Sequence, residues 1–199
     1  MTLTDVDELC TAIRGSLVGD PRGIKVAKLL EDYALHARDW RAFCHFAEGR
    51  YTRNLVYRCA EFELLLLCWG AGHESPIHCH DGQDCWMAVL DGELEEVHFR
   101  QRRGPGGALA EGRTSRFQRG GVAFIHDAIA LHLIRPAPRS SGVSLHLYAG
   151  AIDRCRVFER ETGRSELVTL GYDTVRGEVC TKPPEAVRAE WGRGGPPAG

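Results

Sequence analysis

The chain has 199 residues, of which 43% are hydrophobic and 26% are charged, as in an ordinary globular protein with a buried core. Its formal net charge is −2 at pH 7, and without a basic block it is not expected to bind nucleic acid or an anionic membrane. The longest apolar run, residues 64–69, is too short to span a bilayer, and the acidic N-terminus does not have the pattern of a signal peptide.

Residues 1–48 have the spacing of amphipathic helices. Apolar side chains recur every three or four residues over 6–17 and again over 26–33, which is typical of helices with one buried face. Residues 21–23 (PRG) separate the two stretches as a loop and helix start would, and a third short helix is predicted over 40–46. This part of the chain is therefore predicted to be helical.

Short β-type runs with turn residues between them follow over residues 49–182. Asp91-Gly92 stands between two of these runs, and both residues tolerate the positive φ of a type I′ turn, so a hairpin is predicted there. Residues 104–107 (GPGG) are predicted to form a flexible loop. The whole chain, 1–199, is predicted to be one domain, a sandwich or small barrel with helices packed in front. Residues 183–199 are predicted to form a loosely ordered tail.

His78-Cys79-His80 is the first candidate for chemistry. In an extended segment, residues two apart project to the same side, so both imidazoles can reach one ion while Cys79 points away. Taken alone, such a pair is more often two surface histidines than a metal site, and the surrounding sequence has to decide.

The surrounding glycines resemble the two motifs of the cupin superfamily. Five residues separate Gly72 from His78, Gly92 completes the first motif, and Gly121 precedes His132 in the second. This spacing favours a metal site to which His132 adds a third imidazole.

Three positions depart from the cupin pattern. Cys85 occupies the acidic position of the first motif, and Asp127 and Ile129 replace the proline and glycine of the second. Three neutral imidazoles leave Fe(II) with its full charge, whereas a carboxylate ligand would cancel part of it. Such a site suits an anionic ligand such as a thiolate, whose pKa the metal would lower. Zinc would accept the same three ligands, so the ligands alone do not decide the reaction.

The similarity is closer than that to a superfamily. Several segments, in order and in spacing from about residue 50 to 170, resemble cysteine dioxygenase, particularly the animal-type enzyme: YTRNLV (51–56), LCWGAGHESPIHCH (67–80), Cys85, VAFIHDAIALH (122–132), SLHLY (144–148) and ERETG (159–163). The resemblance implies a mainly β fold, a cupin-type small β-barrel of jelly-roll kind with N-terminal α-helices. It also implies a thiol dioxygenase that oxidises L-cysteine with O2 to L-cysteine sulfinate.

The resemblance also assigns roles to individual residues. Those that it implies as ligands of Fe(II) are His78, His80 and His132. Arg53 would hold the substrate carboxylate with help from Tyr51 and Tyr148. A guanidinium suits that role because its paired donors match a carboxylate and it does not lose its charge at working pH.

Ser144, His146 and Tyr148 alternate along one predicted strand, so all three face the same side. Such alternation is often only one polar face of a sheet. The resemblance implies instead a hydrogen-bonded chain with a catalytic role, in which the imidazole orients the phenol beside the metal. It further implies a thioether bond between Cys85 and the ring of Tyr148, whereas a buried core thiol is the plainer interpretation of Cys85.

Two further positions are matched less firmly. Cys155 matches a cysteine near the pocket mouth in relatives. Ala149-Gly150 stands where relatives usually have Ser-Pro-Pro, so a cis peptide bond that borders the pocket in that family is in doubt.

The expected protein is a monomeric, cytoplasmic enzyme whose cysteines are mostly free thiols, acting on L-cysteine and O2. A rival interpretation is the same chemistry on another small thiol such as 3-mercaptopropionate. Relatives with that preference often have glutamine where Arg53 stands, so the sequence favours cysteine. A second rival is a non-catalytic ligand-binding cupin. A third is a zinc-dependent isomerase or hydrolase, in which the set of Arg53, Cys85 and Tyr148 has no evident purpose.

Overall fold

The computed structural model describes residues 2–17, 20, 23–101 and 107–191. Within them the helices are α1 (Val6–Leu17), α2 (Ile24–His36), a short 3-10 helix (Asp39–Phe43) and α3 (Pro184–Trp191). None of these helices is long and apolar enough to cross a bilayer. The predicted loop at Pro21-Arg22 and most of the predicted GPGG loop lie outside the described residues.

The first two helices form where the apolar spacing predicts them. Helix α1 buries Val6, Leu9 and Ile13, and helix α2 buries Val26, Leu30 and Tyr33, each at three- or four-residue intervals. The side chain of Asp5 accepts a hydrogen bond from the Glu8 amide at 2.8 Å, which caps the first turn of α1. Both helices pack their apolar faces against the strands that follow.

Twelve strands make up most of the remaining chain: β1 (Thr52–Arg58), β2 (Glu63–Trp69), β3 (Ile77–His78), β4 (Cys85–Gln101), β5 (Leu109–Gln118), β6 (Val122–Ile125), β7 (Leu131–Pro136), β8 (Gly142–Tyr148), β9 (Arg154–Phe158), β10 (Ser165–Thr169), β11 (Thr174–Val175) and β12 (Glu178–Val179). They confirm the predicted mainly β fold with N-terminal helices.

The strands form two sheets that share β4. Its first half pairs with β6 and β8, and through β8 with β2, β1, β11 and β12. Its second half pairs with β5 and β7, and through β7 with β3, β9 and β10. The hydrogen-bonded ladder does not return on itself, so the described strands form an open, jelly-roll-like pair of sheets. One sheet carries His78 and His132 of the predicted metal site, and the other carries Arg53 and Tyr148.

The predicted hairpin at Asp91-Gly92 is wrong. Strand β4 continues through both residues, and its register with β8 shifts between Val89 and Asp91. Gly92 does have the positive φ that the turn prediction required, at 74°, but here it bends one long strand instead of closing a turn. The bend carries β4 from one sheet into the other.

We expect Gly92→Ala to destabilise the fold by about 3 kcal/mol, or roughly 6 to 12 °C in Tm. A Cβ at this position would combine a positive φ with an approach of 2.2 Å to the Ser141 carbonyl oxygen, and a backbone atom cannot move aside cheaply. Thermal and urea unfolding would measure the loss. Gly112→Ala is the matched control because that strand glycine has no positive φ and its Cβ would lie 3.5 Å from the His98 oxygen. Equal stability of the two variants would contradict the prediction.

The predicted loose tail requires a correction. Residues 184–191 form helix α3, which buries Val187 and Trp191, and the Trp191 ring meets Tyr57 edge-on at 6.3 Å. Arg188 fixes the helix to the sheets through an ion pair of 2.6 Å with Asp153. The proline and glycine content that suggested disorder belongs mainly to residues 192–199, which lie outside the described part of the chain.

Candidate metal centre

The three predicted histidines meet in the fold. Their ring nitrogens all lie within 4.8 Å of one another, and the ring centroids of His78 and His132 are 4.6 Å apart. His78 ends the short strand β3 and stands directly opposite His132 of β7, while His80 follows two residues later, beyond the strand. Three imidazoles at this spacing form a metal-binding site.

The surroundings keep His78 and His132 neutral, the form in which histidine binds a metal. Burial, together with the neighbouring His80, lowers the pKa of His78 to about 3. Burial also lowers the pKa of His132 well below its usual value, with added effects from His78 and His80. At neutral pH the metal-binding lone pairs of His78 and His132 are therefore available without the loss of a proton.

Each metal-binding histidine has a different hydrogen-bond partner. His78 Nδ1 donates to the Pro76 carbonyl at 2.9 Å. The buried carboxylate of Glu96 accepts a hydrogen bond from His132 Nδ1 at 2.8 Å. Asp127 holds the backbone at His80, accepting from its amide at 2.6 Å. The contacts to Pro76 and Glu96 fix the ring orientations of His78 and His132, whereas Asp127 fixes only the backbone at His80.

A cavity of about 340 Å³ opens beside His78, which is the one of the three metal-binding histidines in its wall, and its volume suits a small molecule. Its wall contains six of the residues singled out in the sequence: Tyr51, Arg53, His78, His146, Tyr148 and Cys155. His78 comes from one sheet, and Arg53, His146 and Tyr148 come from the other. The cavity therefore lies between the two sheets.

Arg53 brings an unsatisfied cation to this cavity. Its backbone amide donates to Asp173 at 2.8 Å and its Nε donates to the Gly171 carbonyl at 3.2 Å, which fixes the side chain. The Nη2 atom is buried, and within the described residues it has no hydrogen-bond partner. A buried, unpaired guanidinium nitrogen is costly unless an anionic ligand completes it.

Strand β8 places Ser144, His146 and Tyr148 on one face, as their alternation predicts. Ser144 Oγ lies 2.8 Å from His146 Nε2 and accepts a hydrogen bond from the Trp69 indole at 2.9 Å. Because the indole can only donate, the Ser144 hydroxyl has its own hydrogen to offer to His146. Tyr51 stacks on Trp69 with ring centroids 4.8 Å apart. The ring of His146 lies 6.3 Å from that of Tyr148.

Cys85 and Tyr148 are direct neighbours across strands β4 and β8. Side chains paired in this way have Cβ atoms only about 5 Å apart, and both residues are buried, at 1% and 3% exposure. Burial raises the pKa of the Tyr148 phenol, Cys85 raises it further, and Arg53 partly opposes the shift. Both groups are therefore held uncharged at neutral pH before anything binds.

With this geometry established, the comparison with known proteins decides the family. A family model described as cysteine dioxygenase type I matches residues 16–161. The chain belongs to the cysteine dioxygenase type I family.

Curated relatives agree with this assignment. The cysteine dioxygenase type 1 of Danio rerio is 36% identical over 158 residues, which cover 77% of this chain and 78% of the relative. The Homo sapiens protein of the same name is 31% identical over 173 residues, covering 85% of this chain and 86% of the relative. Like its cysteine dioxygenase relatives, this chain is an enzyme.

Solved structures with related shapes include a double-stranded β-helix protein from Klebsiella pneumoniae. It has 13% identity and a TM-score of 0.46, and the match covers 67% of this chain and 96% of that one. A cupin superfamily protein from Desulfitobacterium hafniense has 12% identity and a TM-score of 0.41, covering 54% and 84%.

Sequence reasoning missed the residues that support the site of this cysteine dioxygenase family member. Glu96, Asp127 and Asp173 hold His132, His80 and Arg53, respectively. In the sequence, Asp127 stands out only as a departure from the cupin pattern. Nothing in the sequence distinguishes Glu96 from its neighbours Glu93 and Glu95, and its partner lies 36 residues away.

Proposed function

We propose that this enzyme oxidises L-cysteine with O2 to L-cysteine sulfinate at an Fe(II) ion held by His78, His80 and His132. The observation that supports this choice of substrate is the unpaired Nη2 of Arg53, which shares a cavity with His78. A small thiol that carries a carboxylate satisfies both ends of this cavity. The thiol would face the metal-binding histidines and the carboxylate would face the guanidinium.

Fe(II) bound by the three histidines would supply the redox chemistry that lets O2 react with a thiol. Both oxygen atoms go to sulfur, RSH + O2 → RSO2H, and the thiol provides the electrons, so no external reductant is needed. Arg53 neutralises and orients the carboxylate, which fixes the sulfur relative to the metal-binding histidines. Tyr51 lines the same wall of the cavity and its ring is held by the stack on Trp69.

Tyr148 is proposed as the group that donates a hydrogen bond during the reaction. Its phenol borders the cavity and its raised pKa keeps it a hydrogen-bond donor at neutral pH. A donor in this place can assist the reacting oxygen or the substrate carboxylate. Ser144 and His146, joined by a 2.8 Å hydrogen bond, support the wall beside Tyr148.

Oxygen uptake by the iron-loaded enzyme tests this function. We expect cysteine to support uptake with one cysteine sulfinate formed for each O2 consumed. Cysteamine, which lacks the carboxylate for Arg53, and 3-mercaptopropionate, which lacks the amine that would bind the metal beside the thiol, should support much less. Uptake that favours 3-mercaptopropionate would make that thiol the substrate. Dissolved oxygen left untouched by every thiol would favour a non-catalytic ligand-binding cupin.

We also propose that Cys85 and Tyr148 become joined by a thioether bond. The support is their direct pairing across β4 and β8 and their shared burial. Formation of the bond would replace the S–H of Cys85 and one ring C–H of Tyr148 by C–S, and O2 would be the oxidant that accepts the two electrons and two protons as H2O2. Iron held by His78, His80 and His132 would supply the redox chemistry for this step.

Turnover in the presence of cysteine is expected to produce a peptide pair that contains Cys85 and Tyr148 and is lighter than the separate peptides by two hydrogen atoms. Peptide mass spectrometry before and after turnover would detect it. Cys85→Ala must lose this species and Cys155→Ala, at the same cavity, must keep it. Its absence from the wild-type enzyme after many turnovers would refute the cross-link.

A cytoplasmic location is proposed because the cysteines are reduced. All eight are free thiols in the structure, a pattern that suits a reducing compartment.

A further inference from the structure

The hydrogen bond behind His132 differs from those behind the other two metal-binding histidines because its acceptor is charged. His132 Nδ1 donates to Glu96 Oε1 at 2.8 Å, and the two side chains are only 3% and 5% exposed. His78 Nδ1 donates to a neutral backbone carbonyl. His80 Nδ1 lies 3.6 Å from Asp127, too far for a hydrogen bond. Among the described residues, His132 is thus the metal-binding histidine whose ring donates to a carboxylate.

The strand register brings this carboxylate into place. His98 of β4 stands directly opposite His132 of β7, and Glu96, two residues along the same strand, faces the same side. The second carboxylate oxygen of Glu96 lies 3.3 Å from His98 Nε2. The neighbouring Glu95 faces the other side of the sheet, where it pairs with Arg116 and Arg135 at 2.9 Å each.

We infer that Glu96 is a positioning residue that sets how strongly His132 donates to the metal. A carboxylate that accepts from Nδ1 fixes the ring in the tautomer that presents Nε2 to the metal and makes that nitrogen more basic. Among the described residues, no carboxylate joins the three histidines as a ligand. Glu96 supplies one negative charge to the metal centre, and the ring of His132 separates that charge from the position of the ion.

This arrangement has two measurable consequences. A more basic His132 binds divalent ions more tightly. A nearby negative charge stabilises Fe(III) more than Fe(II), so it lowers the reduction potential of bound iron. The inference rests on the metal centre of the proposed function and is independent of its substrate.

Titration of the metal-free protein with Co(II), followed by its visible absorption bands, tests the inference without turnover. We expect Glu96→Gln, which keeps the shape and an acceptor oxygen but removes the charge, to weaken Co(II) binding about 10- to 100-fold. The potential of the iron-loaded variant should rise by about 59 mV for every tenfold fall in the ratio of Fe(III) to Fe(II) affinity. Glu95→Gln is the matched control, because this adjacent buried carboxylate faces away, and it should leave the Co(II) affinity unchanged.

A merely structural role for Glu96 predicts a different result. In that case Glu96→Gln would bind Co(II) as the wild type does, or both glutamine variants would lose affinity equally, and either result overturns the inference. If Glu96→Gln does not fold, the Co(II) affinity of Glu96→Asp tests the inference. This variant withdraws the carboxylate by one methylene and should weaken Co(II) binding at least about threefold, and wild-type affinity there would overturn the inference. A wild-type protein that binds no Co(II) would instead refute the metal centre on which the proposed function depends.

Discussion

Arg53→Ala is expected to raise the KM for cysteine by about a hundredfold or more while the bound metal stays in place. Hydrogen bonds between a guanidinium and a carboxylate each contribute about 1.5 to 3 kcal/mol, and two of them correspond to at least a hundredfold in binding. The Nη2 atom is already buried and unpaired among the described residues, so its interaction with an anionic ligand is not offset by a lost protein contact. Steady-state kinetics together with metal analysis would measure the effect.

Two comparisons separate this effect from general damage. Arg154→Ala removes an exposed arginine from β9 and should leave the KM unchanged. Cysteamine lacks the carboxylate, so its slow oxidation should respond little to Arg53→Ala, and the preference for cysteine over cysteamine should collapse. If the KM for cysteine were unaltered in Arg53→Ala, the guanidinium would have no part in substrate binding.

His132→Ala is expected to abolish oxygen uptake and to lower metal affinity by more than about a hundredfold, since loss of a residue that only supports a ligand already costs 10- to 100-fold. His132 is buried directly opposite His78, so its loss removes one ligand from the interior of the site. The variant also leaves Glu96 as a buried carboxylate without its hydrogen-bond donor, which should destabilise the fold by about 1 to 3 kcal/mol. Metal analysis after iron loading and an oxygen electrode would give the two main measurements.

His36→Ala provides the control for His132→Ala. That histidine lies exposed in the last turn of α2, and its loss should affect neither the metal content nor the oxygen uptake. A His132→Ala protein that retained a full equivalent of iron would remove this residue from the metal site.

Short-range patterns predicted most of the fold and of the site. The apolar spacing of α1 and α2, the proximity of His78 and His80, and the shared face of Ser144, His146 and Tyr148 depend only on residues a few positions apart. The side-chain period of a helix or a strand fixes them directly. The meeting of these groups with Arg53 and His132 depended on resemblance to a family, because spacing alone cannot pair distant strands.

The errors have the same origin. Asp91-Gly92 is compatible both with a hairpin and with a bend inside a strand, and the difference depends on whether the chain turns back on itself or continues to a second sheet. Helix α3 is stabilised by burial of Trp191 and by the ion pair of Arg188 with Asp153. Those partners are far away in sequence, so composition alone suggested disorder. Glu96 and Asp127 escaped notice because a supporting carboxylate is defined by what it contacts.

The bend in β4 has a consequence for insertions and deletions. Cys85 and Glu96 both face the interior, yet they are an odd number of positions apart, so regular alternation would turn one of them outward. The irregularity between Val89 and Asp91 shifts the alternation of side chains by one position, so that Cys85 and Glu96 both face the interior. Deletion of one residue that also removed this irregularity would leave Cys85 and Glu96 both facing the interior, because their separation would become even. A deletion that kept the irregularity would instead turn either the Tyr148 neighbour or the His132 neighbour outward. Homologous chains that keep both features should therefore combine an odd separation with an extra residue in this strand, or an even separation with a regular strand, even where the residues themselves differ.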